Sequence, residues 1–143
     1  MHVAFALFAD AANLSQEGKL NILGVFDAVQ VGHTPAVHPR AHLVVRLKAT
    51  SADAGVHQLL FQWVDPEGEE LWSSDGELEV GTPPPGLDEM DMPVIVAVDL
   101  PISTAGHYEM RIALDGVPAA EIRLDVHDAS RLGMVPRASG LVS

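Results

Sequence analysis

Three histidines, His33, His38 and His42, fall within ten residues of chain that also hold Pro35 and Pro39. Imidazoles are the common ligands of zinc and nickel, and three of them with an Asp or Glu would complete a metal site. The spacing matches no established ligand pattern, and no helix sets two of the rings on one face. The plainer reading is histidines of a proline-containing connection, exposed or bonded to backbone, because a metal needs ligands that converge. The acidic run Asp88-Glu89-Met90-Asp91, with Asp65, Glu67 or Asp75, offers carboxylates for calcium. It lacks the alternating Asp pattern of a calcium loop, so a solvated loop is the simpler expectation.

Nucleophile chemistry has less to stand on. The chain contains no Gly-x-Ser-x-Gly elbow and no Gly-rich phosphate loop, which are the local patterns that expose a serine or cradle a phosphate. It has no cysteine, so thiolate catalysis, thiolate metal sites and disulfides all fall away. Paired carboxylates for glycoside hydrolysis occur in any acidic β-protein and identify nothing without a pocket. These absences favour a protein that binds over one that catalyses, and imply no cofactor.

Trp63 and Trp72 flank the Asp65-Pro66-Glu67-Gly68 turn. Trp63 alternates in phase with Leu59 and Phe61, which places it in a core. Trp72 is the candidate for a surface role, stacking on a peptide or a sugar. The other candidate contact is the basic run Arg131-Leu132-Gly133-Met134-Val135-Pro136-Arg137. Arg131 and Arg137 can dock on the acidic body, on a neighbouring copy or on a partner's acidic surface, although a chain end is often plain overhang.

The elements that must position these residues are strands. Tyr108, Met110, Ile112 and Leu114 alternate with smaller or polar residues, Asp115-Gly116 follows, and Ile122, Leu124 and Val126 resume the alternation. Period two puts one set of side chains inward, so this is a half-buried hairpin. Keeping both apolar sets on one face predicts an odd, three-residue loop with left-handed Gly116. Val3 to Leu14 reads as a long first strand buried on both faces, and Leu20 to Phe26 as its hairpin partner, with Gly24 marking a bulge or a close backbone approach. Val31 to Arg40 is expected to be irregular, because Gly32, Pro35 and Pro39 argue against a central strand. Further strands follow at Leu43–Lys48, His57–Val64, Glu70–Trp72 with Glu77–Val80, and Val94–Leu100. The triple-proline stretch after Gly81 predicts an extended connection between sheets.

Roughly eight short strands with turns between them imply an all-β, antiparallel two-sheet sandwich of immunoglobulin-like architecture. The sandwich is expected over residues 1–127, with 128–143 a flexible tail.

The block Phe5-Ala6-Leu7-Phe8-Ala9-Asp10-Ala11-Ala12, followed by Ser15-Gln16-Glu17-Gly18-Lys19-Leu20-Asn21-Ile22-Leu23-Gly24-Val25-Phe26-Asp27, resembles the opening of a family of small bacterial proteins catalogued as a domain of unknown function. Pro35-Ala36-Val37-His38-Pro39, Leu43 to Leu47 and the closing hairpin from Gly106 to Val126 are similar too. The likeness covers most of residues 3–127. It implies a small cytoplasmic β-sandwich and carries over no catalytic or binding residue.

Charge bounds the partners. Twenty acidic residues against eight basic give a net charge of −12, which repels nucleic-acid phosphates and anionic lipid. No apolar run approaches the ~18 residues that span a bilayer, and no Lys or Arg precedes the first apolar segment as a secretory signal requires. A cytoplasmic binding or self-association module is the leading expectation, with a protein or a second copy as partner. A metal site at His33, His38 and His42 and a carbohydrate-binding module are the rivals.

Overall fold

The computed structural model describes residues 1–129, and among them nine strands form two sheets. β1 (His2–Leu14), β2 (Leu20–Phe26), β4 (Ala36–Ala49) and β7 (Met90–Ile102) make the first sheet, in the order β2-β1-β4-β7. β3 (Ala28–Val31), β5 (Gly55–Val64), β6 (Glu70–Val80), β8 (Gly106–Leu114) and β9 (Val117–Asp128) make the second, in the order β3-β9-β8-β5-β6. The architecture is the sandwich that the alternation implies. Every pairing is antiparallel except that of β3 with β9. No helix among the described residues is long and apolar enough to cross a membrane.

The ninth strand is β3. Four residues are too few for an alternation to declare itself, and Ala28–Val31 is held by its parallel register with Asp125–Asp128. A second departure is β4. It begins at Ala36, inside the stretch expected to be irregular, and pairs with β7 along its whole length. Pro39 is tolerated because the register shifts there: a bulge between His38 and Ala41 leaves Arg40 with a φ of 54°, and a bulged residue needs no ladder hydrogen bond. Gly24 makes the close approach its type suggests. Its φ is +72°, and a Cβ there would sit 2.4 Å from Asp10 Oδ2.

The β8–β9 hairpin meets the parity requirement by another route. Its loop is the two-residue Asp115-Gly116 turn, with φ of 51° and 79°, as a type I′ turn demands. A one-residue register shift then follows, with Ala113 opposite Pro118 but Ile112 opposite Ala120. The extra residue, Ala119, restores the phase that an odd loop would have supplied.

The core lies between the sheets. Phe8, Leu43, Val45, Leu47, Leu100 and Ile102 meet Trp63, Tyr108, Met110, Ile112 and Leu124, each at most 1% exposed. Burial of each large side chain contributes about 1.5–3 kcal/mol. Val3 to Leu14 is buried on both faces only at Phe8 and Ala9. Trp63 stacks on Tyr108 at 5.2 Å and donates its indole N–H to the Pro101 carbonyl at 2.9 Å, so the core placement holds.

Tyr108 also fixes the crossing from β7 to β8. Its hydroxyl accepts from the Ser103 and Thr104 amides at 3.0 and 3.1 Å and donates to the Thr104 carbonyl at 2.6 Å. A tyrosine that bonds back to backbone a few residues upstream, at a corner between sheets, is a recurring device of immunoglobulin-like sandwiches.

Candidate functional site

The alternation of β6 contains an anomaly. Trp72, Ser74, Gly76, Leu78 and Val80 are its inward positions, opposite Trp63, Phe61, Leu59, His57 and Gly55 of β5. Two neighbouring positions that a packed sandwich would fill with large apolar residues carry a hydroxymethyl group and a hydrogen. Across the gap, β7 presents Val94, Val96 and Val98, all only half-buried. An apolar cleft of about 440 Å³ therefore opens between the two edge strands. Leu59 and Phe61 form its floor, Trp72 and Leu78 its ends, and the β7 valines its far wall. Volumes of this order take a small ligand or a few side chains of a peptide.

Its rim is acidic. Asp75, Glu77 and Asp99 border the opening, and β6 and β7 together carry six carboxylates and no Lys or Arg. Asp99 accepts the Arg40 amide at 2.9 Å, and Glu77 accepts from the Gln58 side chain at 3.4 Å. Each strand is the last in its sheet, so among the described residues each leaves one edge of backbone donors and acceptors unpaired. The arrangement can hold apolar side chains, hydrogen-bond an extended backbone and attract positive charge.

Trp72, chosen from sequence as the surface tryptophan, belongs to this cleft. Arg131 and Arg137 lie outside the described residues. The three histidines are not brought together. His33 is exposed in the bend before β4, His38 faces Phe26 at 5.2 Å, and His42 pairs with Ala9 and Ala97. The cause is the bulge. Four residues apart on a regular strand, His38 and His42 would share a face; the extra residue inverts the phase, so His38 pairs with buried Leu100 and His42 with exposed Ala97. Burial holds the His38 imidazole below its ordinary pKa, against the opposing pull of Asp10. Among the described residues no three His, Asp or Glu side chains cluster closely enough to hold a metal ion.

The Asp88–Asp91 run is likewise dispersed. Asp91 is in β7, where it takes two hydrogen bonds from Arg46 at 2.8 and 3.2 Å and pairs with Lys48. The Arg46 and then the Lys48 hydrogen bonds hold its carboxyl down to about 2. That carboxylate is already neutralised and has little to offer calcium.

A second polar cluster lies beside the Leu78 end of the cleft, where His57 of β5 pairs with Leu78. His57 Nδ1 is 2.6 Å from Asp115 Oδ2, and its Nε2 is 2.5 Å from the Asp53 carbonyl. Both partners accept only, so both ring nitrogens donate and the ring is an imidazolium. The Asp115 hydrogen bond, then the Asp53 carbonyl, raise its pKa. Asp53 itself is held to about 2, first by the Met1 amino group 2.8 Å away and then by the Thr50 amide. With both nitrogens engaged, His57 offers no free lone pair to a substrate. It ties the Ser51–Asp53 turn to the Asp115-Gly116 turn instead.

Residues 4–127 match the model of DUF6941, a family of unknown function. The chain belongs to this family. No curated protein matches it. The DUF6941 match takes in β2 to β8 whole and all but the outermost residues of β1 and β9, and so the cleft as well as the core.

Within this DUF6941 chain, sequence reasoning missed the cleft because it read β6 as two short pieces around Ser73–Gly76. The usable signal was the unbroken period two from Trp72 to Val80, with small residues at two successive inward places.

Proposed function

We propose that the protein is a binding module that works without catalysis, and that its ligand is an extended stretch of polypeptide whose apolar residues are flanked by Lys or Arg. The observation that carries this reading is the pair Ser74 and Gly76, whose small size leaves an apolar cleft over Phe61 and Leu59 between two acidic edge strands. Apolar anchors in such a groove supply affinity, the free strand edge supplies backbone hydrogen bonds, and the rim selects charge. A sugar fits less well. Trp72 is half-buried against an apolar floor and far wall, and the carboxylates are confined to the rim, away from the face on which a sugar ring would stack.

The test is a panel of synthetic peptides with one apolar core and either basic or acidic flanks, titrated while Trp72 fluorescence is followed. Trp63 is fully buried, so the response reports the cleft. Basic-flanked peptides are expected to bind, more weakly as salt rises, and acidic-flanked ones not to. Gly76→Leu fills the groove and is expected to abolish binding. Binding indifferent to Gly76→Leu, or none at all to a chain ending at Ala129, would overturn the proposal.

A further inference from the structure

We infer that the cleft is filled by residues 131–137 of a second copy of this chain, exchanged reciprocally so that the protein self-associates as a pair. The inference rests on reading the cleft as a peptide site, and names its occupant. Three observations carry it.

The first is chemical. Arg131-Leu132-Gly133-Met134-Val135-Pro136-Arg137 sets apolar Leu132, Met134 and Val135 between two arginines, and residues 130–143 hold no acidic residue. Leu132 and Met134 fall on one side of an extended chain, about 6.8 Å apart. That is the interval between Ser74 and Gly76 on β6. An acidic rim above an apolar floor is the complement of this segment.

The second concerns like charge. Two copies of β6 laid edge to edge would oppose Glu70, Asp75, Glu77 and Glu79 with themselves, which discourages direct pairing of the edges. A basic segment reverses that sign.

The third is reach. Trp72, Trp63, Met110 and Ile122 lie in one cross-strand row, and Ala129 is seven positions past Ile122, just beyond the end of β9, a strand three places from β6. That separates Ala129 from Trp72 by about 23 Å along the strands and about 14 Å across them. Leu132 to Val135 extend only about 10–20 Å from Ala129 at ~3.3 Å per residue. A chain's own cleft is too distant for this run, whereas a two-fold partner brings its run to the neighbour's cleft from outside and closes the assembly.

The test compares the full chain with a chain ending at Ala129, by light scattering over a wide concentration range and by acrylamide quenching of Trp72. The full chain is expected to be a pair with Trp72 shielded. The shortened chain is expected to be a monomer with Trp72 accessible, and a peptide of residues 130–143 to restore shielding. Arg131→Glu with Arg137→Glu, and separately Gly76→Leu, are expected to give monomers from the full chain. A pair that survives loss of residues 130–143, a full chain that stays monomeric, or equal quenching in both forms would overturn the inference. If the shortened chain still takes the basic-flanked panel peptides and Gly76→Leu abolishes this, only the self-exchange falls. If neither the panel nor the chain's own segment binds, the cleft reading falls with it.

Discussion

The two seams of this sandwich are built from similar parts and end differently. At the β2/β3 seam the chain crosses between sheets through Asp27, whose carbonyl accepts the Asp125 amide at 2.9 Å. Phe8 and Phe26 stack there at 5.9 Å, and Val29 is 2% exposed. At the β6/β7 seam, Trp72 and the β7 valines remain half-covered because Ser74 and Gly76 occupy the inward places. One seam stacks two aromatic rings across its inward face and closes; the other carries small residues at two successive inward places and stays open. Side-chain burial is more complete at the closed seam, and the proposed binding belongs to the open one.

The sharpest way to break that contrast is Phe8→Ala. It empties the closed seam beside Phe26 and Trp63, and is expected to cost about 3–5 kcal/mol in urea unfolding. Tyr108→Phe comes next. It removes one hydroxyl and leaves the Ser103 and Thr104 amides without their acceptor. The expected cost is about 1–3 kcal/mol, read from the same denaturation curves. Gly76→Leu should move the other way. A Cβ at that position meets nothing within 4 Å and the backbone is not left-handed. Filling the cleft and removing a strand glycine is expected to stabilise by about 1 kcal/mol while binding is lost. Opposite signs at the two seams are the signature of this division of labour.

The smallest effect is a pH dependence confined to the His57 end. The folded pKa of His57 lies above its unfolded value, so its contribution is complete below about 6.5 and fades as pH rises through the folded value. The urea midpoint of the native chain is expected to fall across that interval, and that of His57→Gln to stay flat. A midpoint that rises instead would remove the imidazolium from the picture.

Much of the fold was legible because half-buried antiparallel strands advertise themselves. Tyr108 to Leu114 and Leu59 to Trp63 alternate cleanly, and Gly24 announced its approach to Asp10. What escaped was set by partners distant in sequence. Pro39 argues locally against a strand, yet β7 holds β4 together through a bulge. Ala28–Val31 has no pattern of its own until β9 lies beside it. For the site, Trp72 was legible as the less buried tryptophan, but the cleft needed the register of Ser74 against Phe61 and Gly76 against Leu59. The histidines, by contrast, looked like a cluster only while the inversion at Arg40 was invisible.

The parallel pairing of β3 with β9 has a consequence in time. Val29 waits for Val126, close to a hundred residues later in synthesis. Until β9 leaves the ribosome, the second sheet lacks two strands and the Phe8–Phe26 stack has no lid on that side. Contacts so distant in sequence are slow to form, and a nascent chain in that state exposes aromatic surface to its neighbours. The closed seam, the more fully buried of the two in the finished protein, is therefore the last to be completed and a point at which translation leaves the chain exposed.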